Sequence, residues 1–93
     1  MAIKRLRYTV TLKVFNDDDP ADNQPLSKLA EFDSYAKAHK YMCDELNAGA
    51  ALRIEDGHTV NTIVREYGAH LFDDGIHLSY MISDKEKRYY DKQ

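Results

Sequence analysis

The 93-residue sequence contains little cysteine, no tryptophan and no long hydrophobic run. Cys43 is the only cysteine, so an internal disulfide and a cysteine-rich zinc site are both excluded. A single thiol fits a reducing compartment, and we therefore expect a cytoplasmic protein. No segment approaches the roughly 18–20 apolar residues that span a membrane. The basic N-terminal segment alternates polar and apolar residues, unlike a signal peptide, so we expect no membrane partner.

The sequence also lacks the short motifs of common enzymes. No P-loop, GxGxxG, HExxH or GxSxG pattern occurs. His39 precedes Cys43 by one helical turn, which predicts that the two side chains are adjacent. However, Cys43 lies in the middle of the predicted helix, away from the positive N-terminal dipole that activates thiols. We therefore predict that the protein is not an enzyme and has no cofactor.

Charge is plentiful, and it is segregated along the chain. The formal net charge is −3, which is too weak a field to imitate DNA over the whole surface but is compatible with local patches. Residues 16–33 hold six acids against Lys28 alone. The basic residues at the two chain ends, which are candidates for nucleic-acid contact, are Lys4, Arg5, Arg7, Lys85, Lys87 and Arg88.

The first half of the chain predicts two strands and a helix. Residues 8–14 alternate apolar with polar side chains, and apolar residues resume over 26–32, which favours a second strand paired with the first. Ser34 is a suitable N-cap for a helix over residues 34–48, and Gly49 stands where a left-handed C-terminal cap is expected. The predicted inward face of this helix consists of Tyr35, Ala38, Met42 and Leu46.

The second half predicts strands. Leu52 and Ile54 alternate like a short strand near 51–55, although the conformation of residues 50–61 stays open. Residues 59–64 are rich in β-branched side chains, which favours a strand over a helix. Asp74-Gly75 then predicts a two-residue hairpin turn. Pairing outward from that turn puts Leu71 opposite Leu78, Ala69 opposite Tyr80 and Tyr67 opposite Ile82, all on one face.

These elements predict a single α+β domain over residues 1–83. The order is β-β-α-β-β, with a four-stranded antiparallel sheet and one helix packed on one of its faces. Residues 84–93 form a polar C-terminal tail that extends the last strand, forms a short helix or frays.

The stretch VFNDDDPADNQPL, residues 14–26, has three interpretations: a loosely built calcium site on the surface, a solvated loop and a partner-binding loop. A calcium-binding EF-hand starting at Asp17 needs glycine at its sixth position and glutamate at its twelfth, where this chain has Asp22 and Lys28, so that pattern fails. Aspartate and proline favour a solvated hairpin loop. Its length exceeds what a hairpin needs, which favours an acidic surface that recognises a partner. The candidate partner-binding residues are Asp17, Asp18, Asp19 and Asp22.

His70 and His77 are diagonal neighbours on one face of the predicted hairpin. Imidazole is a common zinc ligand, but no third ligand is evident nearby. We interpret the two rings as solvated and assign no metal site. Metal binding through them stays open as an alternative that predicts a metal-sensitive melting temperature.

Two functions follow from this reading of the chain. One helix leaves the second sheet face uncovered, with Phe72 and Met81 on it, so we predict a non-enzymatic protein–protein interaction module that forms a homodimer or binds another protein. The alternative is a nucleic-acid-associated module. It binds nucleic acid through its basic ends or inhibits a nucleic-acid-binding protein through its acidic loop, although the net negative charge disfavours phosphate contacts. The chain resembles small accessory proteins encoded by bacteria and their phages, although no motif carries that resemblance.

Overall fold

The computed structural model describes residues 4–17 and 25–88, with side chains for residues 7–17 and 25–84. Its elements are β1 Lys4–Asn16, β2 Ser27–Phe32, α1 Tyr35–Glu55, β3 Asn61–Val64, β4 Gly68–Asp73 and β5 Ile76–Arg88. The strands form one antiparallel sheet in the order β2-β1-β5-β4-β3. The α+β class with one helix and an antiparallel sheet is therefore confirmed. The prediction of four strands is wrong, because the sheet has five.

The additional strand is β3, which the sequence did not separate from β4. The chain reverses at residues 65–67, where the amide of Arg65 donates to the carbonyl of Gly68 at 2.7 Å. β3 then pairs with β4 and forms an edge of the sheet, with all four of its residues exposed. Gly68 fits this reversal because an added Cβ would lie only 3.3 Å from the carbonyl oxygen of Tyr80.

The helix α1 begins where the sequence predicts. The Ser34 hydroxyl accepts a hydrogen bond from the amide of Lys37 at 3.2 Å, as expected of an N-cap. Of the predicted inward face, Ala38, Met42 and Leu46 are buried, which confirms the helical spacing.

The same helix ends later than predicted. It continues through Gly49 to Glu55, so the predicted cap at Gly49 and the predicted short strand near 51–55 are both wrong. Ala50 packs against the core, and the following residues are mostly good helix formers. The helix ends at Glu55, and Gly57, two residues later, has a φ of 91°.

The end of α1 is a Schellman motif. The amide of Gly57 donates to the carbonyl of Ile54 at 2.9 Å, and the amide of His58 donates to that of Arg53 at the same distance. These bonds satisfy carbonyl groups that have no hydrogen-bond partner within the helix.

One side of the sheet, here called the inner face, packs against α1. The buried hydrophobic residues of this core are Val10, Ala38, Met42, Leu46, Ala69, Leu71, Leu78, Tyr80 and Ile82. The partly buried Tyr8, Leu12, Val14 and Ile76 also pack against this core. Since side chains alternate along each strand, the residues that neighbour these inward ones along each strand lie on the opposite side of the sheet, here called the outer face.

The β4–β5 hairpin follows the predicted register. Leu71 pairs with Leu78 and Ala69 with Tyr80. Asp74 and Gly75 have φ values of 43° and 89°, which give the expected type I′ turn. For the third predicted pair, the amide of Ile82 donates to the carbonyl of Tyr67 at 2.9 Å. The Tyr67 ring is partly exposed and packs against the ring of Tyr35 in α1, with the two centroids 5.3 Å apart.

β5 pairs with β1 in the centre of the sheet, from Lys4 opposite Arg88 to Asn16 opposite Ile76. The sequence left three conformations open for the C-terminal tail. Residues 84–88 extend the last strand, which is one of the three. Residues 89–93 lie outside the described part of the chain. Within the described ranges, no helix is both long and apolar enough to cross a membrane.

Candidate functional site

Four rings lie together on the outer face at the end of the sheet where β4 turns into β5. We call this set, Phe15, His70, Phe72 and His77, the ring cluster. The His77 ring stacks between two phenylalanines, with its centroid 4.4 Å from that of Phe72 and 5.3 Å from that of Phe15. The register explains the contact, because β5 places His77 opposite Phe15 on one side and opposite Phe72 on the other.

The two histidines of the ring cluster contact each other directly. Nδ1 of His70 lies 2.9 Å from Nε2 of His77, so one nitrogen carries the shared proton and the other accepts it. Burial lowers the pKa of the His70 imidazole below its ordinary value, and the neighbouring charges of His77 and Arg65 act in the same direction. The predicted diagonal proximity of the two rings is therefore confirmed.

The outer face around these rings is open and partly apolar. Phe72 is 39% exposed, Met81 45% and Ile63 41%. The register places Ile63 opposite His70 and Met81 opposite Thr11. Phe72, Met81 and Ile63 therefore all lie on the outer face. Among the described residues, the only helix packs on the inner face, and nothing covers the outer one.

Charges of opposite sign flank the ring cluster along β1. The Lys13 ammonium lies 5.4 Å from the Phe15 ring centroid. Asp17 follows two residues after Phe15, and its amide donates to the carbonyl of Gly75 at 2.7 Å. The start of the acidic loop therefore lies beside the Asp74-Gly75 turn, while Asp18, Asp19 and Asp22 lie outside the described residues.

The basic chain ends meet at the opposite end of the sheet. The β1–β5 register pairs Lys4 with Arg88, Arg5 with Lys87 and Arg7 with Lys85. The sequence did not predict this proximity, because it depends on the strand order. Of the described side chains, Arg7 is already engaged: its Nη2 lies 3.4 Å from a carboxylate oxygen of Glu31.

A second polar cluster, at the C-terminal end of α1, was missed by the sequence analysis. Nδ1 of His58 lies 3.0 Å from both carboxylate oxygens of Asp73, whose side chain is almost fully buried. Nε of Arg53 lies 3.5 Å from the same carboxylate, close enough for an ion pair but long for a hydrogen bond. An open depression of about 550 Å³ adjoins this cluster and is lined by Gly57, His58, Thr59, Asp73 and Asp74.

This second cluster joins the end of α1 to the end of β4. Asp73 is one of two buried polar residues among those described, and His58 and Arg53 satisfy it from the helix side. The arrangement connects α1 to β4 directly through Arg53 and through His58, which follows the helix. No local signal could have revealed it, because the 15-residue separation of His58 and Asp73 matches no repeat of a helix or strand.

The predicted contact between Cys43 and His39 is confirmed, with Sγ and Nδ1 3.7 Å apart. His39 also lies 3.2 Å through Nε2 from the carbonyl of Arg65. Because a carbonyl only accepts, Nε2 carries the proton and Nδ1 accepts from the thiol. Together with the hydroxyl of Tyr35, which donates to the carbonyl of Glu66, this histidine fastens the β3–β4 turn to the helix.

Within one chain, the described residues contain no group of three or more histidine, cysteine or acidic side chains arranged to hold a metal ion. The ring cluster thus offers at most two ligands from a single copy. No family model, no curated protein and no solved structure matches this chain.

Proposed function

We propose that the chain is a cytoplasmic, non-enzymatic interaction protein that forms a homodimer through the ring cluster on its outer face. The observation that carries this proposal is the stack of Phe15, His77 and Phe72 on a sheet face that no other described element covers. An aromatic patch that remains exposed on a folded domain is typical of a surface that binds a partner.

Charge complementarity favours a second copy as that partner. A two-fold axis crossing the strands at Phe15 reverses the direction of β1 in the partner. Lys13 of each copy then lies at the level of Asp17 of the other, and the apolar rings meet at the centre. Such an isologous arrangement is the commonest way in which small proteins associate.

The size of this interface indicates a weak dimer. About five residue levels of the sheet overlap, and four strands cross them, because β2 pairs with β1 only as far as Leu12. The overlap is therefore ~17 Å along the strands and ~19 Å across them. This corresponds to roughly 320 Å² per copy, below the ~800 Å² of a standard stable interface. We therefore expect association at high micromolar to millimolar concentration, roughly 0.1–1 mM in dissociation constant.

Sedimentation equilibrium in a chelating buffer over a concentration series tests the dimer. Phe72→Glu places a charge in the ring cluster and should weaken association at least about tenfold. Leu52→Glu is the matched control, because Leu52 is 65% exposed and belongs to α1, on the other side of the sheet. A wild-type chain that stays strictly monomeric at about 1 mM would overturn the proposal.

A charge exchange tests the orientation of the two copies. Lys13→Glu alone should weaken the dimer, because it faces Asp17 of the second copy. The double variant Lys13→Glu with Asp17→Lys should recover association, because the pair is restored with reversed signs. If the double variant associates no better than the single one, this arrangement of the copies is wrong.

A second candidate function is nucleic-acid binding through the basic ends, which is supported by the register that pairs Arg5 with Lys87 and Arg7 with Lys85. The rings that would stack on bases lie about ten residue levels away, or ~33 Å, beside the acidic turn. That separation disfavours a single nucleic-acid site that uses both the basic ends and the ring cluster. Binding of a labelled single-stranded oligonucleotide that weakens with salt and is lost on Arg5→Glu with Arg7→Glu would favour this candidate.

Inhibition of a nucleic-acid-binding protein by the acidic loop is the other form of this candidate. It is supported by the hydrogen bond that brings Asp17 beside the Asp74-Gly75 turn, which adds a further carboxylate to the same end of the sheet. Replacing Asp17, Asp18 and Asp19 by alanine should abolish such binding. Loss of dimerisation in that triple variant, without loss of any other partner, would favour the homodimer instead.

A further inference from the structure

We propose that His70 and His77 form half of a zinc site, and that the second copy in the dimer supplies the other half. This inference rests on the homodimer proposed above and adds to it a bridging ion with four imidazole ligands. One copy offers two nitrogens 2.9 Å apart on an open face, and a two-fold axis beside them brings two more.

The spacing of the two nitrogens is close to what the metal requires. Zinc–nitrogen bonds of about 2.0–2.1 Å in a tetrahedral site put ligand nitrogens roughly 3.4 Å apart. His70 and His77 therefore need to separate by about half an ångström from their hydrogen-bonded distance, which a small rotation of the rings provides. The metal then replaces the shared proton as the group that joins Nδ1 of His70 to Nε2 of His77.

Protons balance in this exchange. In the neutral hydrogen-bonded pair, each imidazole carries one proton, and one of these protons lies between the rings. On metal binding, the donor ring carries its proton on the nitrogen that faces away, so both inward nitrogens offer lone pairs. Two neutral imidazoles bind the ion without net proton release.

The surrounding rings hold this half-site in place. His77 is stacked between Phe15 and Phe72, and His70 lies 6.1 Å from Phe72 in a near-parallel arrangement. Ligands whose orientation is already fixed lose little entropy on binding. The cluster contains neither thiolate nor carboxylate, and a purely imidazole site suits zinc, copper or nickel rather than magnesium or calcium.

The metal also explains how a small interface becomes stable. The overlap of roughly 320 Å² per copy is less than half of a standard interface of ~800 Å², so the rings alone support weak association. An ion that binds only when both copies are present adds its binding free energy to that of the dimer. Zinc should therefore strengthen association while leaving the fold of each copy unchanged.

The test uses the full chain, stripped of metal and then titrated with zinc chloride by calorimetry, with light scattering before and after. We expect one zinc ion per two chains and a dimer at least about tenfold tighter with zinc than with chelator. His70→Gln with His77→Gln should lose both effects. The matched control is Lys37→Gln with Lys40→Gln, which changes two largely exposed side chains of α1 on the other side of the sheet and should keep both.

Other results separate this inference from the proposed function. A dimer whose stability zinc does not change would overturn the metal site and leave the homodimer standing. Zinc bound by monomers, or bound equally well by the variant without His70 and His77, would also overturn it. A chain that stays monomeric with and without zinc would overturn both proposals.

Discussion

Both carboxylate oxygens of Asp73 lie 3.0 Å from Nδ1 of His58, although the two residues belong to different elements. Asp73→Asn removes the charge that this imidazole and Arg53 share. We expect a loss of about 2 kcal/mol in the free energy of unfolding, because Arg53 keeps a partly buried charge without its counterion. Urea denaturation of both proteins provides the measurement.

The control for this substitution is Asp44→Asn. Asp44 accepts from Lys40 at 2.8 Å, a shorter distance than in the buried cluster, but both side chains are largely exposed. Exposed pairs of this kind contribute little. Equal losses for the two variants would show that the buried cluster does not stabilise the fold.

Two glycines of the helix region should respond in opposite directions to alanine. Gly57 has a φ of 91° in the Schellman motif, so Gly57→Ala should cost about 1 kcal/mol or more. Gly49 lies within α1, and an added Cβ would lie 3.9 Å from Cδ1 of Leu71, an ordinary contact. Gly49→Ala should therefore stabilise by up to about 1 kcal/mol. Thermal unfolding of both variants gives the signs, and a shared sign contradicts the helix boundary.

Acid should destabilise the protein through His70. Its pKa is lowered in the folded state, mainly by burial, so the unfolded chain takes up the proton first as the pH falls. The contribution of the neutral His70 to stability is therefore fully present above the ordinary pKa of about 6.5. It decreases as the pH falls from there towards the folded pKa. Melting temperatures in chelator between pH 8 and about pH 5 should fall more for the wild type than for His70→Gln, and parallel curves would contradict this role.

The N-cap of α1 gives a local test of the helix. Ser34→Ala removes the hydroxyl that accepts from the amide of Lys37, at a cost of about 1 kcal/mol. Ser34→Asp should retain most of the stability, because aspartate also caps well and its charge suits the helix N-terminus. Chemical denaturation in which Ser34→Asp loses as much as Ser34→Ala would contradict the capping role.

The sequence predicted those parts of the fold that depend on local chemistry. The type I′ turn at Asp74-Gly75 sets the register of its hairpin, and the alternation around that turn places Leu71 and Leu78 on the core side. The spacing of Ala38, Met42 and Leu46 likewise identified the inward face of the helix. In each case the residues that specify the structure lie within a few positions of one another.

Other features depend on tertiary contacts. Gly49 and Gly57 are both plausible helix ends by residue type, and packing of Ala50 on the core favours the later one. The reversal before Gly68 depends on its close approach to Tyr80, which is distant in sequence. The ring cluster was predicted only in part: the hairpin brought His70 and His77 together, but the stacking on Phe15 required knowledge that β1 lies beside β5.

The central ladder of the sheet joins the first and last strands of the chain, as in the hydrogen bond from the Thr11 hydroxyl to the carbonyl of Met81 across 70 positions. During synthesis, β1 can pair at first only with β2, and its other edge stays open until β5 has been made. Closing so long a loop is entropically costly, so folding should be slow for a domain of this size. Deletion of β1 or of β5 would remove a strand from the interior of the sheet rather than from its edge, and the domain should then fail to fold as a whole.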